Sequence, residues 1–368
     1  MKKYLNGLIT TMFLLFLAFM FFLLFLLPKK SFSETENRYL ARFPEISVIK
    51  VSNGSFGEDF ETFLCDNFPF RDGFISIRTN ILRLMQNTEI NGVYVGDDIL
   101  FDTFENIDKE LEKNQIQAIN SFVGKVDAPV YFAIAPNSLY INSDMLPPNA
   151  QVVDQKSYID NIYNSIDCPS VDLCTQLTTF KDEYLYYRTD HHWTTLGAFY
   201  AYEKICADMH VTASSITDYE IEEVSDSFLG TFHSKGNFSV SPDTIYKFDN
   251  GGKVSLEYDN GAVTETFYYD EFLSKKDKYS YFLGGTPAFL KISSGINNGK
   301  TLVVIKDSYS HCMAPFLASS FETVYLIDLR YLNNNIVEMV NELGATHILV
   351  LYNAKTFSED RNILKMGM

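Results

Sequence analysis

"TLVVIKDSYSHCMAPFLASSFETVYLID", residues 301–328, decides the fold. It holds two β-branched runs, 301–305 and 322–328, on either side of an apolar stretch, "MAPFLASSF", with helical character. A third run, "THILVLY" (346–352), follows a second helical stretch, "NNNIVEMVNELG". Strands and helices in alternation predict right-handed βαβ units and a parallel sheet. In such sheets ligands bind beyond the carboxyl ends of the strands. Three of those ends carry polar residues: Asp307 and Ser308, Asp328 and Arg330, and Asn353.

Working back, "PVYFAIAP" (129–136) is a continuous apolar run bounded by prolines, as expected of a buried strand. "DCPSVDLCTQL" and "YLYY" read as further short strands. From Thr195 the pattern is helical, with Leu196, Phe199, Tyr202, Cys206 and Met209 along one face and Thr194 as the N-cap. Residues 211–300 are irregular and β-rich; "KVSLEYD" and "AVTETFYYD" suggest strands and hairpins. Upstream, Ile116, Ile119, Val123 and Val126 mark one helix face. Asn91-Gly92 and Gly96-Asp97 are turn signals around two short strands. Residues 54–86 have helical spacing, with Phe56, Phe60, Phe63 and Leu64 on one side, then Ile77, Ile81 and Leu84.

Leu8–Leu27 is twenty residues without a charge, enough at ~1.5 Å per residue to span a ~30 Å hydrocarbon layer. No small-x-small cleavage site follows, so an uncleaved single-pass anchor is expected. Basic residues flank both ends, and the charges do not fix the orientation. The expected organisation is an anchor over 1–30 and one α/β domain over 31–368, with 31–53 as a stalk.

The chain has 368 residues, 46% hydrophobic and 21% charged, with a net charge of −17. Those proportions suit a globular protein. A surface that acidic repels phosphate backbones, so no nucleic-acid partner is expected. Of the five cysteines only Cys168 and Cys174 lie close together. They either close a short disulfide loop or are unrelated core residues. No CxxC pair is present.

The chemistry centres on "YYRTDHHWTTLGAFYAY", residues 186–202. A serine hydroxyl is a weak nucleophile until a base takes its proton, and the base needs a carboxylate on its other nitrogen. Asp190 and His192 are two apart, so in an extended segment they face the same side. Ser308 sits on a sharp strand-to-helix turn. His311, three residues later, is a competing base without an orienting acid at a recognisable spacing. Adjacent His191 and His192 would point to opposite sides of an extended chain and chelate poorly, so neither a metal nor another cofactor is expected. His191 and Trp193 read as residues that fix the loop.

Asp190-His191-His192-Trp193-Thr194, with "SETENRYLARFP", "NGVYVGDD" and "DSYS" in the same order, resembles the DHHW family. That family is similar to the alginate O-acetylation proteins of the SGNH-hydrolase-like group. The resemblance covers most of the chain from about residue 31. It implies a three-layer α/β fold with a mainly parallel sheet and a circularly permuted motif order, Asp-x-His before serine. It also implies that Ser308 is the nucleophile, His192 the base and Asp190 its orienting acid. SGNH enzymes hold the oxyanion partly with an asparagine, and Asn353 stands at a strand end suited to that role. Many relatives carry Gly-Asp-Ser; here Lys306 replaces the glycine and would add positive charge near the oxyanion. By resemblance the chain is a membrane-anchored, extracytoplasmic serine acyltransferase that O-acetylates a cell-surface or exported polysaccharide. A membrane-bound O-acyltransferase would be its acyl-donor partner. A carbohydrate acetylesterase with the same triad, or a non-catalytic glycan-binding module, are the alternatives.

Overall fold

The computed structural model describes residues 2–33, Glu36 and 38–368. These form two compact units: Met1–Asn87 with Ser234–Ser239, and Thr88–His233 with Val240–Met368.

The larger unit is built on one eight-stranded sheet. Its strands are β1 (Val130–Ala135), β2 (Ser170–Val171), β3 (Val254–Tyr258), β4 (Val263–Thr264), β5 (Phe289–Ser294), β6 (Thr301–Lys306), β7 (Thr323–Ile327) and β8 (His347–Asn353). They lie in the order β4-β3-β5-β7-β6-β8-β1-β2. The five strands from β7 to β2 are parallel, with Val304 of β6 level with Leu326 of β7 and Leu349 of β8. The other three extend one edge in antiparallel fashion. From β6 the chain crosses to β7 on one side and then returns to β8 on the other. The end of β6 is therefore a topological switch point, where the flanking connections diverge and leave a crevice.

The strands read as unbroken apolar runs because both faces are covered. Leu302 and Val304 pack on one face with Phe199 and Tyr202 of helix Thr195–Asp208 and Phe316 of helix Ala314–Ala318. Val303 and Ile305 pack on the other with Phe122 of helix Lys109–Val123, Ile159 of helix Gln155–Tyr163 and Val340 of helix Ile336–Glu342. The result is a three-layer α/β fold.

Helix Thr195–Asp208 starts where expected: the Thr194 hydroxyl accepts from the Gly197 N–H. Gly197 itself is required by close approach. A Cβ there would sit 2.4 Å from the Leu185 carbonyl oxygen.

One reading changes and two become specific. "DLCTQL" is not a strand beyond β2; Asp172 accepts from the Thr175 N–H and caps a helix, Leu173–Thr179. That helix turns Cys174 into the core, and Cys168 and Cys174 are free thiols. Burial pushes both up to about 12. Within 211–300, β3, β4 and β5 join the main sheet, while Glu220–Phe228 and Asp243–Asp249 pair as a separate antiparallel ribbon.

In the smaller unit the N-terminal helix runs Lys2–Leu26. Its 23 residues from Tyr4 to Leu26 are long and apolar enough to cross a membrane. Helices Ser55–Asp66 and Arg71–Leu84 follow. Arg38 forks onto Asp66 at 3.0 and 2.5 Å. Thr79, fully buried, donates to the Gly236 carbonyl at 2.6 Å. Ile77, Ile81 and Leu84 lie on the opposite, exposed side.

Candidate active site

Residues 185–194 are a tight loop rather than an extended strand. The Thr194 N–H donates to the Leu185 carbonyl and the Tyr187 N–H to the His192 carbonyl. The loop is seated on Asp243, fully buried, which accepts from the N–H groups of Arg188 and Thr189 and from the hydroxyls of Thr189 and Tyr184. Inside it the His192 N–H donates to Asp190 Oδ1 at 3.0 Å, an Asx-type turn. That turn brings Asp190 and His192 together, and it overturns the extended geometry expected for the two histidines. Their rings lie on the same side, 3.8 Å apart.

The structure brings three of the expected site residues into one line. His192 Nδ1 is 2.6 Å from Asp190 Oδ1, and His192 Nε2 is 2.7 Å from Ser308 Oγ. An ionised carboxylate can only accept, so the Nδ1 proton faces Asp190 and Nε2 is left to accept from the serine. Asp190 Oδ2 accepts from the Thr231 N–H at 2.7 Å. Burial alone would raise the Asp190 pKa. The two imidazoles and these hydrogen bonds outweigh it and hold the carboxyl well below its usual range. Burial, followed by the neighbouring His191, pushes His192 down to about 4 against the upward pull of Asp190. At neutral pH the pair is therefore carboxylate and neutral imidazole, the state a general base requires.

Ser308 opens a 3-10 turn, Ser308–Ser310, at the switch point after β6. Asp307 builds that turn: Oδ1 accepts from the Tyr309 N–H, and Oδ2 from the Asn353 N–H and side-chain amide. The Ser308 backbone N–H has no hydrogen-bond partner among the described residues. The serine turn and the histidine loop are tied together. Trp193 Nε1 donates to the Tyr309 carbonyl at 2.8 Å, and the Tyr309 hydroxyl donates to the His191 carbonyl.

Other expectations come out differently. Asn353 stands at the end of β8, but its amide donates to Asp307 and Thr356 and its oxygen accepts from Asn137 and the Thr356 N–H. With its donors engaged, it supports the serine turn. Lys306 is fully buried with Nζ 3.2 Å from Asp328 Oδ2 and 2.9 Å from His311 Nε2. Its charge is matched by Asp328, which Arg330 also clasps at 2.9 and 2.7 Å. His311 faces that ammonium and so is no competitor to His192. Asp190, His191 and His192 gather three potential ligand atoms within 4.8 Å. The His192 nitrogens are already engaged by Asp190 and Ser308, and His191 Nδ1 contacts Thr231 Oγ1 at 2.8 Å.

Two contributors from the irregular region carried no local signal. Tyr279 stacks on His192, with centroids 3.6 Å apart and planes within 10°, and its hydroxyl donates to the Ser308 carbonyl. Gly230 lies against Asp190; an added Cβ would sit 2.3 Å from Asp190 Cβ and 2.4 Å from Oδ2. Gly230→Ala is therefore expected to displace the carboxylate and cut turnover of an ester by on the order of 10²–10⁴-fold, approaching the loss seen when a triad aspartate fails to orient its histidine. An ester assay beside a circular-dichroism melt checks that the loss exceeds any unfolding.

The pH dependence has a definite sign. A base at His192 must be neutral to take a proton, and its pKa is lowered, so any activity that depends on it is expected to persist below the ordinary histidine range. In brief pH-jump assays kcat/KM should hold from neutral pH to about 5 and fall by half near about 4. A midpoint near 6.5 would mean a solvent-exposed imidazole. Prolonged acid exposure acts on the fold in the same direction. Burial lowers His192, His233, His311 and His347. The unfolded chain then binds more protons below about 6.5, and stability falls as pH drops through that window.

Solved structures share this fold. A DHHW family protein from Eubacterium siraeum aligns with a TM-score of 0.66 at 24% identity, over 75% of this chain and 95% of that one. Bacillus cereus PatB1, solved with a sulfonyl adduct, aligns with a TM-score of 0.63 at 18% identity, over 75% and 98%. The O-acetyltransferase domain of Pseudomonas putida AlgJ is more distant, with a TM-score of 0.46 at 14% identity, over 73% and 93%. A sequence search of curated proteins finds no match. The family model described as DHHW protein matches residues 85–327, well over half of the sequence, and the chain belongs to the DHHW family.

Proposed function

We propose that this protein is a serine acyltransferase, anchored by its N-terminal helix outside the cytoplasm, that O-acetylates a cell-surface or exported polysaccharide. The observation that carries the reading is the hydrogen-bonded line Asp190–His192–Ser308 at the switch point of a parallel sheet. Ser308 Oγ attacks the carbonyl of an acetyl donor while its proton passes to His192 Nε2. The donor's heteroatom leaves with that proton, and the acetyl group stays on Ser308. A sugar hydroxyl then gives its proton to His192 as its oxygen attacks the acyl-serine, and the proton returns to Ser308. Asp190 stabilises the imidazolium formed in each half, and the Ser308 N–H is positioned as one oxyanion donor. A membrane-bound O-acyltransferase is the partner expected to supply acetyl groups.

The test is to incubate the protein with an activated acetyl ester, with and without an oligosaccharide, and to map acetyl mass by peptide mass spectrometry. Acetyl on Ser308 that moves to the sugar supports transfer. Acetyl on Ser308 that yields only acetate, with sugar present, makes the protein an esterase instead. PatB1's sulfonyl adduct suggests a sulfonyl fluoride as a second trapping reagent for Ser308.

A further inference from the structure

Helix Arg71–Leu84 is inside out. Phe74, Ile77, Ile81 and Leu84 recur at spacings of three and four, so they share one face. That face is exposed: 41, 55, 50 and 84%, respectively. The polar side is the held one. Thr79 donates to the Gly236 carbonyl and Arg83 to the Ser239 carbonyl, and Asn237 donates to the Asp72 carbonyl. A helix that buries Thr79 and presents Ile77 and Ile81 has an apolar face outward for a reason other than its own core. The preceding segment behaves alike, since Phe43, Ile46, Val48, Ile49 and Val51 are all exposed.

What covers this face is indicated by its neighbour. A groove of about 540 Å³ is lined jointly by Leu17, Met20 and Leu24 of the N-terminal helix and by Leu64, Phe68 and Phe74. If Leu17–Leu24 lie in hydrocarbon, the groove and the helices beside it lie at or near that depth. The charge agrees. Residues 28–85 hold eight basic and eight acidic side chains, so the net charge of −17 lies elsewhere in the chain. Lys29 and Lys30 follow the N-terminal helix, which ends at Leu26, and Arg71, paired with Glu36 at 2.8 Å, borders the groove. Cations at the edge of an apolar face suit phospholipid headgroups.

We propose that helix Arg71–Leu84, with residues 43–51, forms an interfacial lipid-binding unit, and that its occupant is the bilayer itself. The exposed apolar side chains of both sink into the outer part of the leaflet, with Lys29 and Lys30 at headgroup level. The inference rests on the N-terminal helix being membrane-spanning, and the test separates the two. The full chain, carrying Cys65→Ser and either Ile77→Cys or Leu84→Cys, is spin-labelled and reconstituted in vesicles of phosphatidylcholine and phosphatidylglycerol. Phe16→Cys in the same background reports the spanning helix. Collisions with oxygen and with a water-soluble nickel chelate are compared. Oxygen exceeding nickel several-fold at residue 77, as at residue 16, is expected; residue 84 should match or lie closer to the surface. Nickel dominating at 77 and 84, with 16 still in lipid, overturns the lipid-binding unit alone. Neither reagent reaching 77 and 84 means a protein surface covers them, which also overturns it. Nickel reaching 16 removes the anchor and this inference together.

Discussion

Ser308→Ala is expected to leave the fold intact and, under the proposed acyl transfer, to lower acetyl-ester turnover by on the order of 10⁴-fold or more, as loss of a triad serine does. Among the described residues the side chain makes one hydrogen bond, to His192, so the alanine gives up little packing. His192→Ala should fall to a similar floor, because the hydroxyl has no second base within reach: His311 is turned onto Lys306. The double variant should lose no more than either single one, since the two act as a unit. The measurement is steady-state turnover beside acyl-serine mass. Turnover by Ser308→Ala equal to the parent's would remove the acyltransferase and the esterase together and leave a binding module.

The second large effect is on stability. Asp328→Ala should destabilise the larger unit by about 3–5 kcal/mol, because it strands the buried Lys306 ammonium. Lys306 is fully buried at the end of β6, and among the described residues Asp328 is the only anion it contacts. Burial already lowers its pKa against the pull of Asp328. Lys306→Met combined with Asp328→Leu should recover much of the loss, since both charges leave together and Arg330 can turn to solvent. Urea melts of the three proteins check this. A single variant as stable as the parent would mean that Lys306 sheds its proton at little cost.

Much of the fold was legible because it rests on strands covered on both faces. Runs such as "TLVVI" and "THILVLY" are apolar throughout only when helices flank both sides, so alternation and topology could be read together. The geometry of the candidate site was legible where it is local: Asp190 and His192 share one loop, and Ser308 ends a strand. Contacts across the chain were not. Tyr279 and Gly230 sit in a region without periodicity, and their value lies in what they touch. The histidine pair was misjudged because a single side-chain hydrogen bond from Asp190 turns the loop that alternation would have left straight. Asn353 was placed at the right strand end, but Asp307 and Thr356 take its donors, and a sequence does not display competition for a hydrogen bond.

The order of the strands along the chain also sets when reactivity can arise. His192 is synthesised 116 residues before Ser308, and β1 stays without its inner neighbour until β8 has emerged. The strand that carries the serine slots between partners made later than itself. A nascent polypeptide thus holds Ser308 and His192 apart until the last fifth of the chain has been delivered.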